Sequence, residues 1–170
     1  MENRSLVEEL AGACVASVQN AIGVELDLTQ DTLPVLDHYA SLVESPTEEI
    51  MSLLAPMCGA YFGEVVRRQL GEGVWVCPEG DYRQWRLRFE NCDLAFNPIG
   101  VALEVIANEE APDWGGHLQT SPAHQKGMER AIEVLGEVRQ NDYYRFAVRY
   151  EGVEQVYLAL ANKARADRLN

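Results

Sequence analysis

The sequence predicts a helix-rich α+β fold in a single domain spanning residues 1–170, arranged around a short three-stranded antiparallel meander. Three observations carry this. Apolar spacing is helical from the N-terminus to Leu70, changes to period two after Gly71 and Gly73, and turns helical again at Pro98. At 170 residues and 47% hydrophobic content, the chain is long enough for one sizeable core and short for two.

The elements follow in order. Residues 5–22 read as a first helix, with Leu6, Leu10, Cys14 and Val18 as its buried face and Gly23 as its stop. Thr32 and Pro34 start a second helix reaching about Val43, where Ser45-Pro46 interrupts. Thr47, with Glu48 and Glu49, opens a third. Pro56, lacking an N–H, is expected to bend or divide it, leaving Met57 to Leu70 as a nearly all-apolar piece. Gly59 and Gly63 share one face of that piece, where a neighbouring backbone can approach closely.

Residues 74–77, 84–90 and 92–97 read as the strands of the meander. In the middle strand Trp85, Leu87 and Phe89 point one way and Arg86 and Arg88 the other, so one face of the sheet meets water. Trp75, Leu94 and Phe96 complete the apolar layer. Pro98 starts a helix to about Ala107, residues 108–119 form a loop, and Ser121-Pro122 opens a helix to about Val138. The C-terminal stretch fits two periods: Tyr144, Phe146, Val148 and Tyr150 alternate, while Tyr143, Phe146, Ala147, Tyr150, Val153, Tyr157, Leu160 and Ala164 are helically spaced. The longer window favours helix, broken near Gly152.

The net charge is −13, and residues 1–66 hold eleven acids against the single base Arg4. Such a front half repels phosphate backbones, which argues against nucleic acid as a partner and for a protein with a basic surface. Cys14, Cys58, Cys77 and Cys92 contain no C-x-x-C pair and sit in apolar contexts, the pattern of buried, reduced thiols. Arg4, Glu8 and Glu9 break up the N-terminus, so neither a signal peptide nor a membrane span is expected, and the cytoplasm is the expected location.

The helix Gly59-Ala60-Tyr61-Phe62-Gly63-Glu64-Val65-Val66-Arg67-Arg68, then Gly71 and Trp75, then Trp85-Arg86-Leu87-Arg88-Phe89 and Phe96-Asn97-Pro98-Ile99-Gly100, resemble an uncharacterised bacterial domain family. Its pattern is a Gly-x-x-x-Gly-Glu helix, a Trp-bearing strand and an Asn-Pro helix start. The resemblance covers roughly the central quarter of the chain. It implies a bacterial source and a helix-meander-helix core, and it implies no activity or catalytic residue. Here Gly73-Val74 separates Gly71-Glu72 from Trp75, so the turn differs in detail.

Several groups are candidates for chemistry. Glu64 lies one turn before Arg67 and Arg68, the spacing of surface ion pairs worth a few tenths of a kcal/mol. His117 and His124 are separated by a loop and a cap with no third ligand in view, so no metal site and no cofactor is read from them. Asp37 and His38 are adjacent and diverge on a helix. No nucleophile elbow, phosphate loop or H-E-x-x-H pattern is present in the sequence.

Two surfaces remain. Arg86 and Arg88 project together, with Asp93 expected opposite as an ion-pair partner. The loop at 109–117 places Trp114 and His117 around two glycines, suited either to binding or to anchoring on the core.

The sequence therefore favours a non-catalytic protein-binding or interaction module of a bacterial cytoplasmic system, such as a toxin antagonist or a subunit of a complex. Glu48, Glu49, Arg86, Arg88, Trp114 and His117 are its candidate contact residues. The rival is a small enzyme acting on an anionic small molecule held by Arg86, Arg88 and His117 converging in a pocket.

Overall fold

The computed structural model describes residues 2–71 and 73–170; Glu72, part of the turn compared above, lies outside them. The elements run α1 (Glu2–Ile22), α2 (Leu33–Ser41), α3 (Glu48–Leu70), β1 (Gly73–Val76), β2 (Arg86–Phe89), β3 (Leu94–Phe96), α4 (Pro98–Ala107), α5 (Gln125–Val134), α6 (Gln140–Tyr143) and α7 (Phe146–Leu169). This is the expected helix-rich α+β fold. The three strands form one antiparallel sheet in the order β1-β2-β3, with Trp75 opposite Leu87 and Leu87 opposite Phe96.

α3 is the axis of the core, packed between α1 and α4. Every residue from Ala55 to Val66 is buried. A Cβ on Gly59 would stand 2.5 Å from the Ile99 Cα, so glycine there lets the start of α4 cross at backbone contact. At Gly63 the space is taken by the Trp75 indole, 2.2 Å from a would-be Cβ. Phe62 meets Phe96 of β3 and Phe146 of α7, joining helix, sheet and C-terminal helix in one cluster. By length and composition α3 is also apolar enough to cross a membrane, but 67% of its apolar window is buried inside the fold.

Several boundaries and faces differ from expectation. α1 buries Val7, Ala11, Cys14 and Val18, and leaves Leu6 exposed. A spacing of four at every step drifts around a 3.6-residue helix, whereas 7, 11, 14 and 18 stay on one stripe. Pro56 does not divide α3; the burial that surrounds it outweighs the roughly 3 kcal/mol that an interior proline costs. α7 runs unbroken through Gly152, and residues 146–150 are helix. Gln84 belongs to a 3-10 turn before β2, and α2 stops at Ser41. The segment after Ser121 is a short 3-10 turn followed by α5, which ends at Val134 ahead of Gly136 in a left-handed conformation at φ 77°.

Two polar ties set the angles between elements. Asn97 is fully buried: its Oδ1 caps α4 at the Ile99 N–H (3.0 Å), and its Nδ2 donates to the Tyr82 carbonyl (2.8 Å). Asp37 of α2 takes the Phe146 and Ala147 N–H groups, so the cap of α7 comes from a residue more than a hundred positions away.

Candidate functional site

Glu48 and Glu49 are exposed in the first turn of α3, where Thr47 Oγ1 accepts the Ile50 N–H at 3.2 Å. Ile50 (39% exposed) and Leu53 (64%) follow on the same helix, and Leu42 (51%) and Glu44 stand in the connection from α2. The helix dipole accounts for the two acids, at about 0.3–1 kcal/mol each. It does not account for the exposed aliphatic side chains of Ile50 and Leu53 that follow them on the helix.

The arginine face is built differently from the expected ion pair. Arg86 donates from Nε to Gln119 Oε1 (3.2 Å) and from Nη1 to the Arg83 and Trp85 carbonyls (2.7 Å each). Arg88 is exposed, opposite Val74 and Ala95. Asp93 instead accepts from the Ser121 N–H (2.8 Å) and faces His124 Nδ1 (3.2 Å). Trp114 is half-buried under the Arg83 guanidinium, 5.3 Å from its ring centre. The loop that carries it is fastened to the sheet by an Ala95–Gln119 bridge and by the Asn97 N–H on the Gly115 carbonyl. Arg86, Trp114 and Gln119 therefore gather at one edge of the meander.

His117 faces away from them. Its Nε2 lies 3.6 Å from Oε1 of Glu104, and its Nδ1 lies 3.3 Å from the Tyr143 hydroxyl. Glu104 is the single charge in an otherwise apolar α4 and has no exposed surface. Its Oε2 takes Arg149 Nη1 at 3.0 Å; Arg149 Nη2 donates to the Gly116 carbonyl at 3.1 Å, and the guanidinium lies 4.7 Å from the centre of the Tyr143 ring. Glu104 Oε1 is buried without a hydrogen bond.

His117, Tyr143 and Arg149 form the polar end of a cleft of about 320 Å³ between α5 and α7, with Glu104 against His117 and Arg149 but not on its lining; the walls include Val101, Leu118, Met128, Ile132, Val148 and Val153. A larger recess of about 580 Å³ beside α2 and α4 is lined by Asp37, whose carboxylate already caps α7.

Glu64 is buried, where a surface pair was expected. Arg67 grips it with two bonds (2.8 and 2.9 Å) and the Trp75 indole N–H with a third (2.8 Å). Burial works to raise its pKa, but the bonds from Arg67 and Trp75 and the charges of Arg67 and Arg68 prevail and hold it below the ordinary value. Among the described residues no three His, Cys, Asp or Glu side chains gather where they could hold a metal ion.

The structure thus separates Arg86 and Arg88 from His117, and gives His117 partners in Glu104, Tyr143 and Arg149 that sequence reading passed over. One signal was available: a lone acid in an apolar helix needs a buried cation, and Arg149 between Val148 and Tyr150 is a candidate. No protein-family model, curated protein or solved structure matches this chain, so the resemblance of its central quarter rests on the residues quoted for it.

Proposed function

We propose that the chain is a non-catalytic binding module for a protein with a basic surface, acting as a toxin antagonist or as a subunit of a complex in the bacterial cytoplasm. The observation that carries this reading is the start of α3, where exposed Ile50 and Leu53 stand beside Glu48 and Glu49 on the strongly acidic front half of the chain. Apolar side chains give such a contact its area, and the acids give it steering and register. The rival reading, an enzyme for a small anion, needs Arg86, Arg88 and His117 in one pocket. Arg86 is bonded to Gln119 and to the Arg83 and Trp85 carbonyls, and both ring nitrogens of His117 are turned to other protein groups.

Capture of partners from lysate of the source cells, with the captured protein then purified and its association followed against salt, tests the proposal. The association rate should fall markedly from low salt to about 0.15 M, where the Debye length is about 8 Å. Glu48→Lys with Glu49→Lys, and separately Leu53→Ser, should weaken binding, while Arg86→Ala with Arg88→Ala leaves it intact. Loss of binding in the arginine variants alone would move the function to the meander face and end this reading.

A further inference from the structure

The cleft between α5 and α7 is separate from the acidic start of α3, and its polar end has a fixed hydrogen-bond direction. Glu104 pairs with Arg149 through Oε2, and its second oxygen, Oε1, is left as an unpartnered acceptor. His117 Nε2 faces that oxygen at 3.6 Å, and in the neutral ring with its proton on Nε2 the other nitrogen, Nδ1, is an acceptor. The Tyr143 hydroxyl beside Nδ1 must then donate to it, and burial, which raises the Tyr143 pKa, keeps that proton in place. Among these four side chains only the lone pairs of Tyr143 Oη remain for anything entering the cleft; the exposed carboxylate of Glu151 also lines it.

Charge and size complete the description. Glu104 and Arg149 neutralise each other, and the remaining acid on the lining, the exposed Glu151, is negative, so the cleft offers no free positive charge to an anion. Away from the polar residues the walls are apolar, and about 320 Å³ is roughly twice the ~150 Å³ that suffices for benzene. Gly152 lines the cleft in the middle of α7, where glycine is unfavourable for a helix, and a Cβ there would meet nothing within 4 Å. The position has room for a side chain and leaves it to the cleft.

From this geometry we propose that the cleft is a binding site for a neutral, largely apolar small molecule of about bicyclic size bearing one hydrogen-bond donor, a hydroxyl or an N–H. The apolar body lies between α5 and α7, and the donor reaches Tyr143 Oη. Ligand O–H, Tyr143 O–H, His117 Nε2–H and Glu104 Oε1 then form one directional chain. Its closure draws His117 the few tenths of an ångström needed to satisfy the orphaned carboxylate oxygen.

Calorimetric titration of the full chain with three naphthalenes tests this. 1-Naphthol should bind saturably at one site. 1-Methoxynaphthalene, which cannot donate, and 1-naphthoate, which is anionic, should each bind at least tenfold more weakly. Tyr143→Phe should lower 1-naphthol to the level of its methyl ether and leave the ether unchanged. Gly152→Leu should abolish binding of both while melting no lower than the parent. Absence of saturable 1-naphthol binding, equal affinity for the ether, tighter binding of naphthoate, or full binding by Gly152→Leu would each overturn the proposal. A dimer in sedimentation velocity that Gly152→Leu dissociates would overturn it too, by assigning the cleft to a second copy of the chain.

Discussion

At the scale of single residues, two acids are buried among the described residues, and the fold treats them differently. Glu64 has three short bonds and a depressed pKa; Glu104 has one partnered oxygen and one that waits. The consequence for Glu64 is a pH dependence of definite sign. A carboxyl with a folded pKa below its unfolded one contributes stability that is fully present above the unfolded value of about 4.3 and is lost as pH falls through the folded value. Thermal melts from pH 7 down to pH 3 should therefore show the parent losing more stability than Glu64→Gln, which has no charge to lose. Parallel pH profiles would show that Glu64 is uncoupled from folding. The spacing of Glu64, Arg67 and Arg68 made the pair legible in sequence; its burial was not, because the Trp75 indole that roofs it arrives from the next element.

Elements are joined here by caps that come from far away in sequence. α7 begins at Phe146 with no capping side chain of its own, and Asp37 on α2 supplies both acceptors. Asp37→Ala should cost about 0.5–2 kcal/mol, the range for losing an N-cap, and Asp37→Asn, which retains one acceptor, less. Hydrogen exchange should quicken first at the amides of Phe146 and Ala147. If the loss is global from the outset, with no local opening of that turn, Asp37 is not acting as a cap. The same reach explains the elements read wrongly in sequence. Pro56 and Gly152 are helix breakers by local preference, yet each sits within a long helix whose buried stretch, Ala55–Val66 of α3 or Phe146–Leu160 of α7, packs on neighbours the local pattern does not contain.

For the molecule as a whole, the thiols report how closed the core is. Cys14, Cys58 and Cys77 are buried and Cys92 half-buried, and burial pushes Cys77 up to about 12 and Cys92 up to about 11. With so little thiolate at pH 8, titration of the native protein with a chromogenic disulfide should label at most one thiol slowly, Cys92, and denaturation should release all four. Rapid native labelling of several thiols, or a mass two daltons low for each pair, would show an open core or a disulfide.

What the sequence by itself determined is the local grammar: helix before Gly71, alternation through Phe96, helix from Pro98, and the Gly59 face as a place of backbone contact. Each of these follows from the conformational preferences and periodicity of neighbouring residues, so a linear reading reaches it. Tertiary structure decided which stripe of α1 is inside, that α3 and α7 run unbroken, and that His117 turns from the arginines toward Glu104, Tyr143 and Arg149. Those outcomes rest on contacts between residues up to 110 positions apart, such as Asp37 with Ala147, and no window along the chain contains both partners.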